Sequence, residues 1–180
     1  MTGSGSGKQG SVDQLGFVVE DIEATMRYWN EVLGVGPFFY LERSATTNLF
    51  FRGEKTSVVS STALAQAGGV QIELVQLRND APSAYRDMHP HGPGALHHVG
   101  YFVDDYEATL KAEQDKGLEL VQWGDAGPRV HFCYLADPKR QGLLVELIEI
   151  GGLRDFFDRI AEAGRTWDGT DGILKIKPSL

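Results

Sequence analysis

Gln14-Leu-Gly-Phe-Val-Val-Glu-Asp-Ile-Glu-Ala-Thr-Met26 returns 84 positions later as His98-Val-Gly-Tyr-Phe-Val-Asp-Asp-Tyr-Glu-Ala-Thr-Leu110. Likeness over such a stretch at a fixed offset marks a duplicated unit. In each copy a β-branched apolar run gives way to acidic residues and then to apolar positions at helical spacing. Residues 12–19 read as a strand and Asp21 as a helix N-cap. Ile22, Met26, Trp29, Val32 and Leu33 read as one face of a helix that Gly34 stops. The second copy predicts a strand over Leu96–Val103, a cap at Asp105, Tyr106 and Leu110 facing inward, and a helix end at Gly117.

Each helix leads into three extended segments. They are 38–43, 56–65 and Val70–Leu77 in the first half, with Gly68-Gly69 as a hairpin turn, and 118–123, 130–136 and 143–150 in the second. The closing strands match as well: Gly69-Val-Gln-Ile-Glu73-Leu-Val-Gln-Leu against Gly142-Leu-Leu-Val-Glu146-Leu-Ile-Glu-Ile. The fold class is therefore α+β, built from two tandem βαβββ modules, 11–77 and 95–150. Residues 1–10 read as a flexible leader without the apolar core of a secretory signal. Residues 78–94 form a linker loop with a turn of helix at 83–88. Residues 151–180 carry a helix, with Leu153, Phe156, Phe157 and Ile160 at its spacing, and an irregular tail that Trp167 anchors.

Composition narrows the function. The chain has 180 residues, 42% of them apolar, a formal net charge of −8 and scattered carboxylates, which argues against nucleic acid or an anionic membrane as partner. No apolar run approaches the roughly 20 residues of a bilayer span. One cysteine, Cys133, excludes an intrachain disulfide, and the cytoplasm is the expected compartment.

Four residues fall at matched points of the two halves: Gln14 and His98 open them, Glu73 and Glu146 sit in the closing strands. A lone Glu in a strand ordinarily faces solvent. A matched pair on otherwise apolar strands, joined by an imidazole and an amide oxygen, reads instead as a metal site. One nitrogen and three oxygens suit a divalent ion such as Zn, Ni, Co, Mn or Mg, with positions left open for water or substrate. The other polar residues take bland readings. His97 points away from the site, His89 and His91 are solvent-exposed or else close over a substrate, and Cys133 is a small buried hydrophobe on the face it shares with His131, opposite Tyr134. Tyr101, Arg52, Arg86 and Arg129 either contact an anionic substrate or serve the surface, and Phe38, Phe39, Tyr40, Phe50 and Phe51 pack a core or line a pocket.

Over residues 11–150 the chain resembles the vicinal oxygen chelate superfamily, which includes glyoxalase I, methylmalonyl-CoA epimerase, extradiol dioxygenases and bleomycin-resistance proteins. Gly94-Ala-Leu-His-His98-Val-Gly-Tyr and Leu144-Val-Glu146-Leu most resemble the epimerase and glyoxalase-like branch. The resemblance implies a cupped eight-stranded sheet around a metal held by Gln14, Glu73, His98 and Glu146, and a homodimer. That ligand set is similar to zinc-type glyoxalase I, whereas the epimerases usually have His first and Gln second. Iron dioxygenases use two His and one Glu, so Gln14 argues against dioxygenase chemistry. Val18 and Leu77 stand where glyoxalase I has an Arg and an Asn, against a glutathione adduct as substrate. The expected activity is metal-dependent proton transfer at a carbon next to a carbonyl or acyl thioester, with Glu146 as base and Glu73 returning the proton. The alternatives are a glyoxalase-type lyase on another adduct and a metal-free small-molecule binder.

Overall fold

The computed structural model describes residues 11–44, 46–89, 92–127, 130–140 and 142–177; the expected leader, His91 and Arg129 lie outside them. The chain runs β1 (Gln14–Val18), α1 (Ile22–Glu31), β2 (Phe38–Leu41), β3 (Thr47–Phe51), β4 (Glu54–Lys55), β5 (Ser60–Ala67), β6 (Val70–Leu77), α2 (Ala84–Asp87), β7 (Leu96–Val103), α3 (Tyr106–Asp115), β8 (Glu119–Asp125), β9 (His131–Ala136), β10 (Leu144–Glu149), α4 (Arg154–Thr166) and β11 (Ile173–Ile176). The strands of the described residues form one curved sheet in the order β11-β2-β5-β6-β1-β7-β10-β9-β8-β3-β4.

The eight strands of the duplicated unit fill the middle of this sheet. β2-β5-β6-β1 of the first half meets its counterpart β7-β10-β9-β8 where β1 and β7 pair antiparallel, so a pseudo-twofold axis passes between them. Three further strands were hidden from the sequence. Residues 47–55 fold as the β3–β4 hairpin, which leaves its own half and adds to the far edge on β8. β11 forms in the expected irregular tail and pairs parallel with β2. A two-residue strand and a four-residue edge strand carry too little periodicity to be recognised alone.

The helices cover both faces. Asp21 and Asp105 cap α1 and α3 alike, accepting from the Ala24 and Ala108 N–H groups at 2.9 and 3.0 Å. α1 buries Ile22 and Met26 against Phe38, Tyr40, Ala63, Ile72 and Leu74, and each such side chain contributes about 1.5–3 kcal/mol by leaving water. The helix ends at Glu31, earlier than the apolar spacing implied, so Val32 and Leu33 fall on its exposed exit. α3 packs likewise over Cys133, Leu135 and Leu147.

Alternate residues of the same strands face the other way, and there α4 sets Phe157 and Ile160 on Leu64, Phe39 and Ile150. The other half of that face is roofed by α2, where Ala84, Tyr85 and Met88 meet Phe132, Tyr134 and Leu144. The tail is anchored by Trp167, whose ring stands 3.0 Å from where a Cβ on Gly36 would sit. No helix of the described residues is long and apolar enough to cross a membrane.

Candidate metal centre

Register places the four matched residues on this roofed face. In one row across the sheet Glu73 pairs with Gly16, Gly16 with His98, and His98 with Leu144. In the next row the order is Gln71, Gln14, Gly100, Glu146. Residues directly opposite share a face, and so do residues two apart, so Gln14, Glu73, His98 and Glu146 all point the same way. Gly16 and Gly100 are themselves counterparts in the repeat. The His98 ring lies over Gly16, where a Cβ would run into the imidazole. Gln14 leans over Gly100, whose Cβ would stand 3.0 Å from Gln14 Oε1. Each glycine makes room for the other half's opening residue.

His98 Nε2 ends 3.2 Å from Glu73 Oε2 and 3.1 Å from Glu146 Oε2. The ligand atoms of these three residues all lie within 4.8 Å of one another. The distances are short, yet none of these contacts has hydrogen-bond geometry. Gln14 Oε1, Glu73 Oε2, His98 Nε2 and Glu146 Oε2 are all buried and unpartnered, one atom from each predicted ligand. Buried polar atoms left so are costly, and those of Glu73, His98 and Glu146, drawn from both pseudo-symmetric halves, fit a divalent cation, with Gln14 Oε1 over Gly100 as the expected fourth donor. Ser83 Oγ and Gln122 Nε2 are also unpartnered, at the α2 contact, where Gln122 Oε1 accepts from the Ala84 N–H.

A β-bulge settles the state of His98. The β1–β7 register passes from Gly16 opposite His98 to Phe17 opposite Leu96, which leaves His97 unpaired and turns its ring to the same side as His98. The expectation that strand alternation points His97 away is thus corrected. His97 Nε2 lies 3.1 Å from the Ala84 carbonyl, which can only accept, so this nitrogen carries a proton. Burial, and then the charge of His98, hold the His97 pKa down to about 3, so the ring is neutral and its Nδ1 is bare. His98 Nδ1 therefore donates to it across 3.0 Å, and Nε2 is the nitrogen aimed at the carboxylates.

Without a metal, burial alone would lower the His98 pKa, but Glu146 and Glu73 override it and push it up to about 9. Burial raises Glu73 as well, against the opposing contact with His98. Both shifts give one sign. The stability from protonated His98 is complete below about pH 6.5, its ordinary value, and disappears as pH rises through about 9. The raised Glu73 carboxyl likewise loses its contribution as pH climbs above 4.5. Chelator-treated protein is expected to show a lower urea midpoint at pH 9 than at pH 6.5; an unchanged or higher midpoint would contradict this electrostatic picture.

Aromatic groups that the sequence did not single out for the site wall it. Tyr134 lies opposite Glu146 on β9, its ring 5.1 Å from that of His98. Its hydroxyl meets that of Tyr85 at 2.9 Å. Burial, with the nearby carboxylates, raises both phenols well above their ordinary range and keeps them protonated. His89, expected in solvent, is half-buried and stacks on His97 at 5.5 Å.

Residues 13–150 match the model of the Glyoxalase/Bleomycin resistance protein/Dioxygenase superfamily. The chain belongs to this superfamily. No curated protein matches it. Among solved structures it is similar to methylmalonyl-CoA epimerase from Mycobacterium tuberculosis, with 17% identity, a TM-score of 0.52, and 78% of this chain and 91% of that one covered. It is equally similar to a hypothetical protein from Bacillus halodurans, with 18% identity, a TM-score of 0.52 and coverage of 77% and 93%. The superfamily match ends at residue 150, so α4 and β11 lie beyond it.

The remaining polar residues of this superfamily member stand elsewhere. His131 is half-exposed and bonded to Asp125 at 2.8 Å. Arg86 pairs with Asp80 at 2.5 Å, and Arg52 lies over the Phe51 ring. Tyr101 packs with the cluster under α3. Cys133 is fully buried, and burial pushes its thiol up to about 12.

Proposed function

We propose that the protein is a divalent-metal-dependent isomerase of the epimerase type, acting on a small molecule at a carbon next to a carbonyl or acyl thioester. The observation that carries this reading is the pair of carboxylate oxygens flanking His98 Nε2 at 3.2 and 3.1 Å, one from each half of the repeat. A cation held by Gln14, Glu73, His98 and Glu146 would act as a Lewis acid toward the substrate carbonyl and acidify the neighbouring C–H.

The protein's own groups move the proton. Glu146 takes it from one epimer, and Glu73, arriving from the opposite half, delivers one to the other face of the carbon; the reverse reaction exchanges their roles. Glu73 is the more open of the two, with 16% of its side chain accessible against 6% for Glu146. The neutral phenols of Tyr134 and Tyr85 and the stacked rings of His97 and His89 exclude water from one side. A homodimer belongs to the same reading.

Metal-reconstituted protein is expected to catalyse deuterium exchange from solvent into the α-carbon of 2-substituted acyl thioesters or 2-hydroxy ketones, and chelation is expected to stop it. Proteins that take up no metal, yet bind such compounds, would point instead to a metal-free binder. Metal uptake with cleavage of an adduct and no exchange would favour the lyase.

A further inference from the structure

Gln14 and His98 occupy equivalent positions, but an amide has a hazard that an imidazole held by His97 does not. A carboxylate presents oxygen whichever way it turns. A primary amide can turn either its oxygen or its NH2 toward the site, and two converging carboxylates favour the NH2. An amide turned that way offers a cation no lone pair, and it occupies the oxygens that should hold the ion.

We propose that Gln71 is the positioning residue that presents the Gln14 oxygen, and not its NH2, to the metal. The inference rests on the metal-centre reading above. In the row Gln71, Gln14, Gly100, Glu146, the two ends of the Gln14 amide point in opposite directions. Nε2 donates to Gln71 Oε1 at 2.7 Å, with Gln14 1% and Gln71 2% exposed. Oε1 lies on the other side, over Gly100 and toward Glu146, buried and unpartnered. By tying down the NH2 on the β6 side, Gln71 leaves the oxygen facing the centre. The repeat supplies an internal control. The position equivalent to Gln71 is Leu144, which lies opposite His98, and an imidazole already fixed through His97 needs no partner there.

The test is the affinity of the purified full chain for Zn²⁺ and Co²⁺, by chelator competition, together with the Co²⁺ visible spectrum. Gln71→Leu is expected to weaken binding about 10–100-fold and to alter the Co²⁺ spectrum, as loss of a ligand's outer partner does. Gln71→Glu, which still accepts from Gln14 Nε2, is expected to hold affinity at or above the wild-type value. In a Gln14→Glu background either oxygen of the new carboxylate can face the ion, so adding Gln71→Leu is expected to change nothing. An equal loss in both backgrounds would make Gln71 a packing residue only and overturn the proposal. Tight wild-type binding that Gln71→Leu leaves intact overturns this inference alone; a wild-type chain that takes up neither metal overturns the metal reading and this inference with it.

Discussion

Glu146→Gln and Glu73→Gln are each expected to slow epimerisation by about 10²–10⁴-fold, the usual worth of a positioned acid or base. Glutamine keeps the shape of the side chain but not its basicity, so at equal metal content the substitution tests proton transfer. The two variants should also differ in a way that a one-base enzyme would not show. With one carboxylate removed, the other still abstracts a proton from the epimer that presents its C–H to that side. Solvent deuterium is then expected to enter one epimer with retention in Glu146→Gln and the opposite epimer in Glu73→Gln. The measurement is a proton NMR exchange assay on resolved substrates, run at equal metal content. Should either variant epimerise at the wild-type rate, the two-carboxylate mechanism is wrong.

Gly16→Ala is expected to displace His98 and to weaken metal binding by at least about tenfold, with a stability loss of about 1–3 kcal/mol for overpacking a closed site. The reason is geometric. A Cβ on Gly16 would run into the His98 imidazole, and that ring is fully buried and tied through Nδ1 to His97. It has no nearby place to go. Gly100→Ala presses instead on Gln14, 2.9 Å from its Cβ and 3.0 Å from its Oε1, a far looser contact than that of Gly16 with the imidazole, which a shift of a few tenths of an ångström relieves. Its effect on affinity is expected to be smaller. Equilibrium urea unfolding and metal competition on both variants check the order; equal affinities for Gly16→Ala and wild type would show that His98 does not hold the ion.

Much of this was legible in the chain because duplication is a sequence-level fact. The repeat gave the halves, strand alternation set each of Glu73 and Glu146 on one face of its own closing strand, and the matched glycines stood in the sequence two residues after Gln14 and His98. The limits are equally particular. β3–β4 and β11 are short edge strands whose places are set by what they pair with, β8 and β2, far away in sequence. His97 defeats the alternation rule because a bulge depends on two strands meeting, and one strand alone cannot display it. Tyr85 reaches the wall from a four-residue helix in the linker, a position no periodicity encodes.

The sequence by itself determined the α+β duplication, the residues that open and close each half, and thus which donors a cation would meet. These follow from covalent order and from the two-residue period of a strand. Only the tertiary structure decided how those donors are aimed. It seated His98 over Gly16 and Gln14 over Gly100, turned His97 inward to fix the imidazole, and set Gln71 against the Gln14 amide. Orientation of a side chain is set by its neighbours across the sheet, and neighbours across a sheet exist only once the chain has folded.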